Sequence, residues 1–253
     1  YHQTSDIHIS RSMIITLVLS TISLMIPMSL LTQKGYHSLW VWPILLIAIF
    51  FIVNFIITNR QATHPIVHFH TLFSKKPFVG ATMAISSHLT LLTGIAGINV
   101  YIVRILKLPF DISLHFYFFF FVGVIITGIL KMFFYSSVGA GFLGTLGSSA
   151  LLYVSIHWII LGNTINIPLL YIQGLLLGFG ASMTLVSGSM ATLLDGDLKE
   201  AAQRSQTMHT IRNFSAAMLI PIIAYTIKNH IQKGTQSIYA ENITDKMIYL
   251  KKL

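Results

Sequence analysis

The stretch "WVWPILLIAIFFIVNFIIT", Trp40 to Thr58, carries no charged residue. A helix that spans a bilayer needs about 20 mostly apolar residues. Six further segments approach or meet that length: Ser12–Leu31, Phe78–Val103, Leu114–Phe134, Gly139–Leu161, Pro168–Leu194 and His209–Ile227. The last is the weakest, with a short apolar core and Pro221 inside it. Only 9% of the 253 residues are charged, against about 25% in soluble domains. So few charges do not cover a water-facing surface. The chain therefore reads as an all-α integral membrane protein of about seven transmembrane helices in contact with the lipid bilayer.

The net charge of +9 is read as membrane orientation, because the basic residues sit between apolar runs. No basic face or stacking platform suits nucleic acid. Cysteine is absent, which removes disulfides, thiolate chemistry and cysteine-based metal sites. With the N-terminus inside, the inner segments carry Arg11, Arg60, Lys75, Lys76, Lys131, Lys199, Arg204 and Arg212, and the outer loops carry Lys34, Arg104 and Lys107. That asymmetry favours a cytoplasmic N-terminus in an inner (plasma) membrane. The expected organisation is a cytoplasmic lead (1–11), two accessory helices (12–58), a cytoplasmic linker (59–77), five helices (78–227) and a polar outer tail (228–253). Tail lysines such as Lys246, Lys251 and Lys252 weaken the asymmetry. The tail and the opening at Tyr1 suggest a fragment of a longer chain.

The seven acidic residues are Asp6, Asp111, Asp195, Asp197, Glu200, Glu241 and Asp245, and none falls in a helix core. The polar groups left near mid-membrane are His88, Asn99, Gln173, Ser182, Thr184 and Ser187. Such groups avoid lipid and turn toward other helices or a cavity. The small residues Gly174 and Gly178 have the spacing that lets helix backbones approach closely. No phosphate loop, nucleophile elbow or paired mid-membrane carboxylates occur, so no catalytic residue, cofactor or enzymatic activity is expected.

The segment "RQATHPIVHFHTLFSKKPF", Arg60 to Phe78, holds His64, His68 and His70. Pro65 pushes His64 out of the helical region. With Pro65 as a first helical residue, His68 and His70 diverge by about 200°, so no metal site is expected. Ile66, Phe69 and Phe73 then form an apolar stripe. The segment reads as a short amphipathic helix on the membrane surface, closed by Lys75 and Lys76 and stopped by Pro77.

The order of elements resembles the second half of a fourteen-helix drug:proton antiporter of the major facilitator superfamily. The linker elements that carry the resemblance are Arg60, Pro65, Ile66, Leu72, Phe73, Lys75, Lys76 and Phe78. "GILKMFFYSSVGAGFLGTLG", Gly128–Gly147, is similar to the superfamily's second interhelical loop, without its usual aspartate. The glycine-rich sixth segment and the arginine-bearing seventh fit the same branch, although Asn213, Ser215, Ala216 and Ala217 stand where family members often have glycines. The resemblance implies efflux of small, mostly apolar or cationic compounds by alternating access, coupled to protons or another ion. It implies that a first half or partner helices are needed and that this portion alone is inactive. On this mapping His88, Asn99, Gln173 and Asn213 are the candidate substrate-path residues. The other reading is a non-transporting membrane subunit, or a degenerate remnant, that only packs with partner helices.

Overall fold

In lipid, a backbone satisfies its own hydrogen bonds most simply as a helix. A computed structural model describes residues 11–160 and 166–250, without the side chains of 235 and 237–250. It holds six long helices: α1 (Arg11–Lys34), α2 (Val41–Gln61), α3 (Lys75–Val100), α4 (Phe110–Ile160), α5 (Ile167–Leu194) and α6 (Ala201–Leu250). All six are long and apolar enough to cross a membrane, which marks a multi-pass membrane protein. Two compact units divide the chain, Tyr1–His64 with Met218–Leu253, and Pro65–Ala217.

Of the seven expected segments, the fourth and fifth are the two arms of α4, which meet at Gly139. Gly139 interrupts that helix with φ 75° and ψ 170°, a conformation open to glycine because it lacks Cβ. The two arms run in opposite directions along α5. On the first arm, Thr127 donates to the Phe179 carbonyl and Lys131 to the Met183 carbonyl, so both numbers rise together. On the second, Gly147 meets Gly180 and Trp158 meets Gln173, so one rises as the other falls. Gly139 is therefore a reversal between two antiparallel arms.

In the unit Pro65–Ala217, α5 is the centre. It runs antiparallel to α3, as Ser87 donating to the Ala181 carbonyl and Thr192 to the Pro77 carbonyl show. Lipid offers little hydrophobic drive for helix association, so close packing and interhelical hydrogen bonds must hold the helices. A Cβ at Gly188 would lie 2.5 Å from the Gly80 carbonyl oxygen, and one at Gly174 would lie 2.8 Å from that of Phe116. One at Gly178 would collide with the Phe120 carbonyl. The run His115–Phe121 is thereby divided. Phe116 and Phe120 are buried beside these glycines, while Phe118 and Phe121 stay exposed.

In the other unit, α1 and α2 form a hairpin. Gly35, at φ 77°, follows α1, and its N–H donates to the Leu31 carbonyl at 2.9 Å. A side chain there would strike the Tyr225 ring, which packs edge-on against Tyr36 with centroids 4.8 Å apart. Trp42 donates its indole N–H to the Tyr36 carbonyl at 3.0 Å. Ile15, Ile22, Leu46 and Phe50 remain exposed, as lipid-facing side chains would.

The linker departs from the expected amphipathic helix. Residues 62–68 have no helix, only Phe69–Leu72 form a 3-10 turn, and α3 already begins at Lys75. Pro77 is a buried residue of the first turn of α3 and does not stop a helix; proline is tolerated there because the amide it lacks would be unpaired. Lys75 and Lys76 open α3 and close nothing. The buried residues are Val67, Thr71 and Leu72, while Phe73 of the expected stripe is exposed. The reason is tertiary. The His68 backbone N–H donates to Thr207 at 3.0 Å, and Leu72 packs with Ala81, Ala84 and Met208. The segment docks on its own unit.

Candidate functional site

Alanines at Ala81 and Ala84 on α3 make room for Met208 of α6, which is fully buried between them. One turn further along come His88 of α3 and Arg212 of α6. Arg212 lies near enough for its charge to act on both His88 and His209. The Arg212 Nε is buried and has no hydrogen-bond partner among the described residues.

The face of α6 turned away from Met208 is polar. Ala202, Gln206, His209, Thr210, Asn213 and Ala217 are all exposed, at the three- and four-residue spacing of one helix face. They lie within an apolar segment long enough to span a membrane, Leu198–Gly234. Lipid is a poor neighbour for such a stripe. A water-filled cavity or another protein surface suits it.

The expected path residues lie on three helices, His88 and Asn99 on α3, Gln173 on α5 and Asn213 on α6. Asn99 shares the α3 face of His88, being eleven residues or about 20° round the helix away, and accepts from the Tyr117 hydroxyl at 2.7 Å. Gln173 points elsewhere. It is 2% exposed, accepts from the Trp158 indole at 2.7 Å and bonds the His157 ring at 2.8 Å. Its amide locks α5 to the second arm of α4.

A second feature is a groove between α3 and that second arm, floored by α5. A pocket of about 320 Å³ is lined by Ser86, Ser87, Thr90, Ser148, Ser155 and Thr184 among others. A wider one of about 640 Å³ leads to Lys75, Lys76 and Asp195 and shares Met83, Ser148 and Leu152 with it. Most of these hydroxyls are already satisfied. Thr90 and Ser148 donate to carbonyls four residues back, and Ser87 bonds Thr184 and the Ala181 carbonyl. A groove so satisfied is compatible with lipid, and it has less need of a ligand than the α6 face.

Sequence reasoning passed over three cations. Arg204, counted only among the inner basic residues, is 1% exposed. It donates to the Thr192 and Leu193 carbonyls at 2.9 and 2.8 Å, closing the C-terminus of α5, whose last turn has no basic residue of its own. Lys131, within α4, donates to the Met183 carbonyl of α5 at 2.9 Å. Arg212 was legible as a charge inside an apolar segment, though only orientation was drawn from it. Among the described residues no group of three or more histidine or acidic side chains could hold a metal ion; His68 and His70 have ring centroids 6.1 Å apart. No known protein family matches this chain, and no curated protein matches it.

Proposed function

We infer that this chain is part of a secondary active carrier resembling the second half of a fourteen-helix major facilitator drug:proton antiporter. It would export small compounds by alternating access, coupled to protons or another ion, with a first half supplied by further helices. The single observation that carries the reading is the exposed polar stripe of α6 from Ala202 to Ala217, flanked by His88 and Arg212. Carriers place their sites near mid-membrane where two halves meet, lined by side chains that lipid would not accept.

The test is efflux of a fluorescent lipophilic dye from energised cells. Expressed alone, residues 1–253 give no proton-gradient-dependent efflux; together with helices that supply the first half, they do. Efflux by neither form sinks the carrier reading.

The second reading, a non-transporting subunit or remnant, also has an observation in its favour. The described carboxylates Asp111, Asp195, Asp197 and Glu200 all lie at helix ends or in the α5–α6 connection. A proton-coupled carrier needs a group that changes protonation within the span. On the carrier reading, that group comes from the other half.

A further inference from the structure

Arg212 stands about 18 Å along the helix from Glu200, at 1.5 Å per residue. Glu200 is the acidic residue preceding it in the described chain, and it already pairs with Arg204 at 4.0 Å. Asp195 pairs with Lys76 at 3.8 Å, and Asp111 lies at the start of α4, at the far end of the unit. From α3, the titratable group within range of the Arg212 charge is His88; from α6 itself, it is His209. Toward the unit's interior lie the apolar Leu185 and Ile211, packed against the Ala84–Met208 cluster. Among the described residues no carboxylate pairs with Arg212, and the rings of His88 and His209 lie within range of its charge.

A guanidinium cannot shed its proton and presents five donors in a flat fork that matches a carboxylate. Buried or half-buried charges are paired in native structures, because the alternative is costly. The buried Nε without a partner is a donor still waiting for an acceptor. Asn213 and His209, exposed on the neighbouring face, open this donor set to the polar stripe.

We propose that Arg212, with His88 and His209, is an anion site within the membrane that takes the carboxylate of a small organic anion. The guanidinium receives the carboxylate, and the two imidazoles supply further donors at its edges. The proposal rests on the carrier reading, whose path the α6 stripe would line, and it narrows the substrate class. Compounds with a carboxylate, rather than lipophilic cations, would meet this half of the path, since a bare cation placed beside Arg212 is repelled.

The probe is radiolabelled salicylate, with tetraphenylphosphonium as the cationic comparison, and the full 253-residue chain in nanodiscs. Saturable salicylate binding is expected, not displaced by tetraphenylphosphonium. Arg212→Gln should weaken it by at least about tenfold, the loss that follows when a charge-assisted hydrogen bond is removed. Arg212→Lys should restore part of it, which guards against a variant that merely misfolds. His209→Gln should weaken it by about threefold. Absence of saturable binding, or binding unchanged in Arg212→Gln, overturns the proposal.

The path is tested separately. The chain has no cysteine, so Asn213→Cys alone can be labelled with a membrane-impermeant thiol reagent. Salicylate binding without labelling leaves the anion site standing and removes the path. Labelling without salicylate binding leaves the path and removes the anion site.

Discussion

Helices α5 and α6 are both apolar enough to span a membrane, yet they bury different kinds of side chain. The difference lies in which side chains each presents. α5 turns Gly174, Gly178, Gly180 and Gly188 to its neighbours, so backbones meet directly. α6 turns Arg204, Thr207 and Met208 inward and leaves Gln206, His209 and Asn213 outside. Small residues complete a helix's contacts within the chain; an outward polar stripe leaves contacts to be made with water, solute or another surface. α5 is the more apolar of the two, but the contrast lies chiefly in where each helix places its polar side chains.

The largest break of that contrast is Gly178→Val. The added side chain would overlap the Phe120 carbonyl, so the first arm of α4 must move away. We expect a loss of roughly 3 kcal/mol or more, beyond ordinary overpacking, seen as loss of the monodisperse folded peak in detergent. Asn213→Val on α6 should leave that peak in place, and equal damage from both would erase the distinction.

Next comes Arg204→Ala, which removes the donors from the Thr192 and Leu193 carbonyls at the end of α5. Leaving such acceptors unsatisfied costs about 1–3 kcal/mol, and thermal unfolding should report it. An unchanged midpoint would mean that water replaces the guanidinium.

Thiol labelling sharpens the comparison on the α6 side. Cysteine at Gln206 or Asn213 should react with an impermeant reagent at least about tenfold faster than cysteine at Ile129, an exposed apolar position of α4, because a thiol in lipid is shielded from the reagent and stays protonated. Equal rates would place the stripe against lipid.

Gln173→Leu is milder. It breaks the bonds to Trp158 and His157 while keeping an apolar shape, so about 1 kcal/mol is expected, with a shifted Trp158 emission. No spectral change would show that the indole was never held.

The smallest effect concerns the linker. Burial, with His70 beside it, holds the His68 ring below its ordinary value of 6.5. A depressed folded value means that the unfolded segment binds more protons. The docked state therefore has its full stability above about 6.5 and loses it as pH falls through the folded value. Amide exchange at Thr71 and Leu72 should quicken on acidification through that window, and His68→Gln should flatten the response.

Much of the architecture was legible in residue order. α5 spans Ile167–Leu194 where the apolar run began at Pro168, because membrane length and continuous hydrophobicity leave few other solutions. The close approach at Gly174 and Gly178 was likewise legible, since nothing else fits a backbone contact. The linker misled because its apolar spacing mimics a helix, while Leu72 and the His68 amide are claimed by α3 and α6. Of the path residues, His88 and Asn99 share a face by their spacing alone, but Gln173 was drawn to Trp158 across a helix pair that no local pattern reveals.

The sequence by itself determined that this is a helical membrane protein, because its long uncharged runs have no other medium in which to rest. It also placed every acidic residue away from the span cores. Only the tertiary structure decided which polar groups are spent and which remain. Arg204 and Gln173 are consumed by carbonyls and rings brought from other helices, while the Nε of Arg212 has no hydrogen-bond partner among the described residues. Satisfaction of a buried polar group depends on what lies across from it, and that is fixed by packing, not by neighbours in the chain.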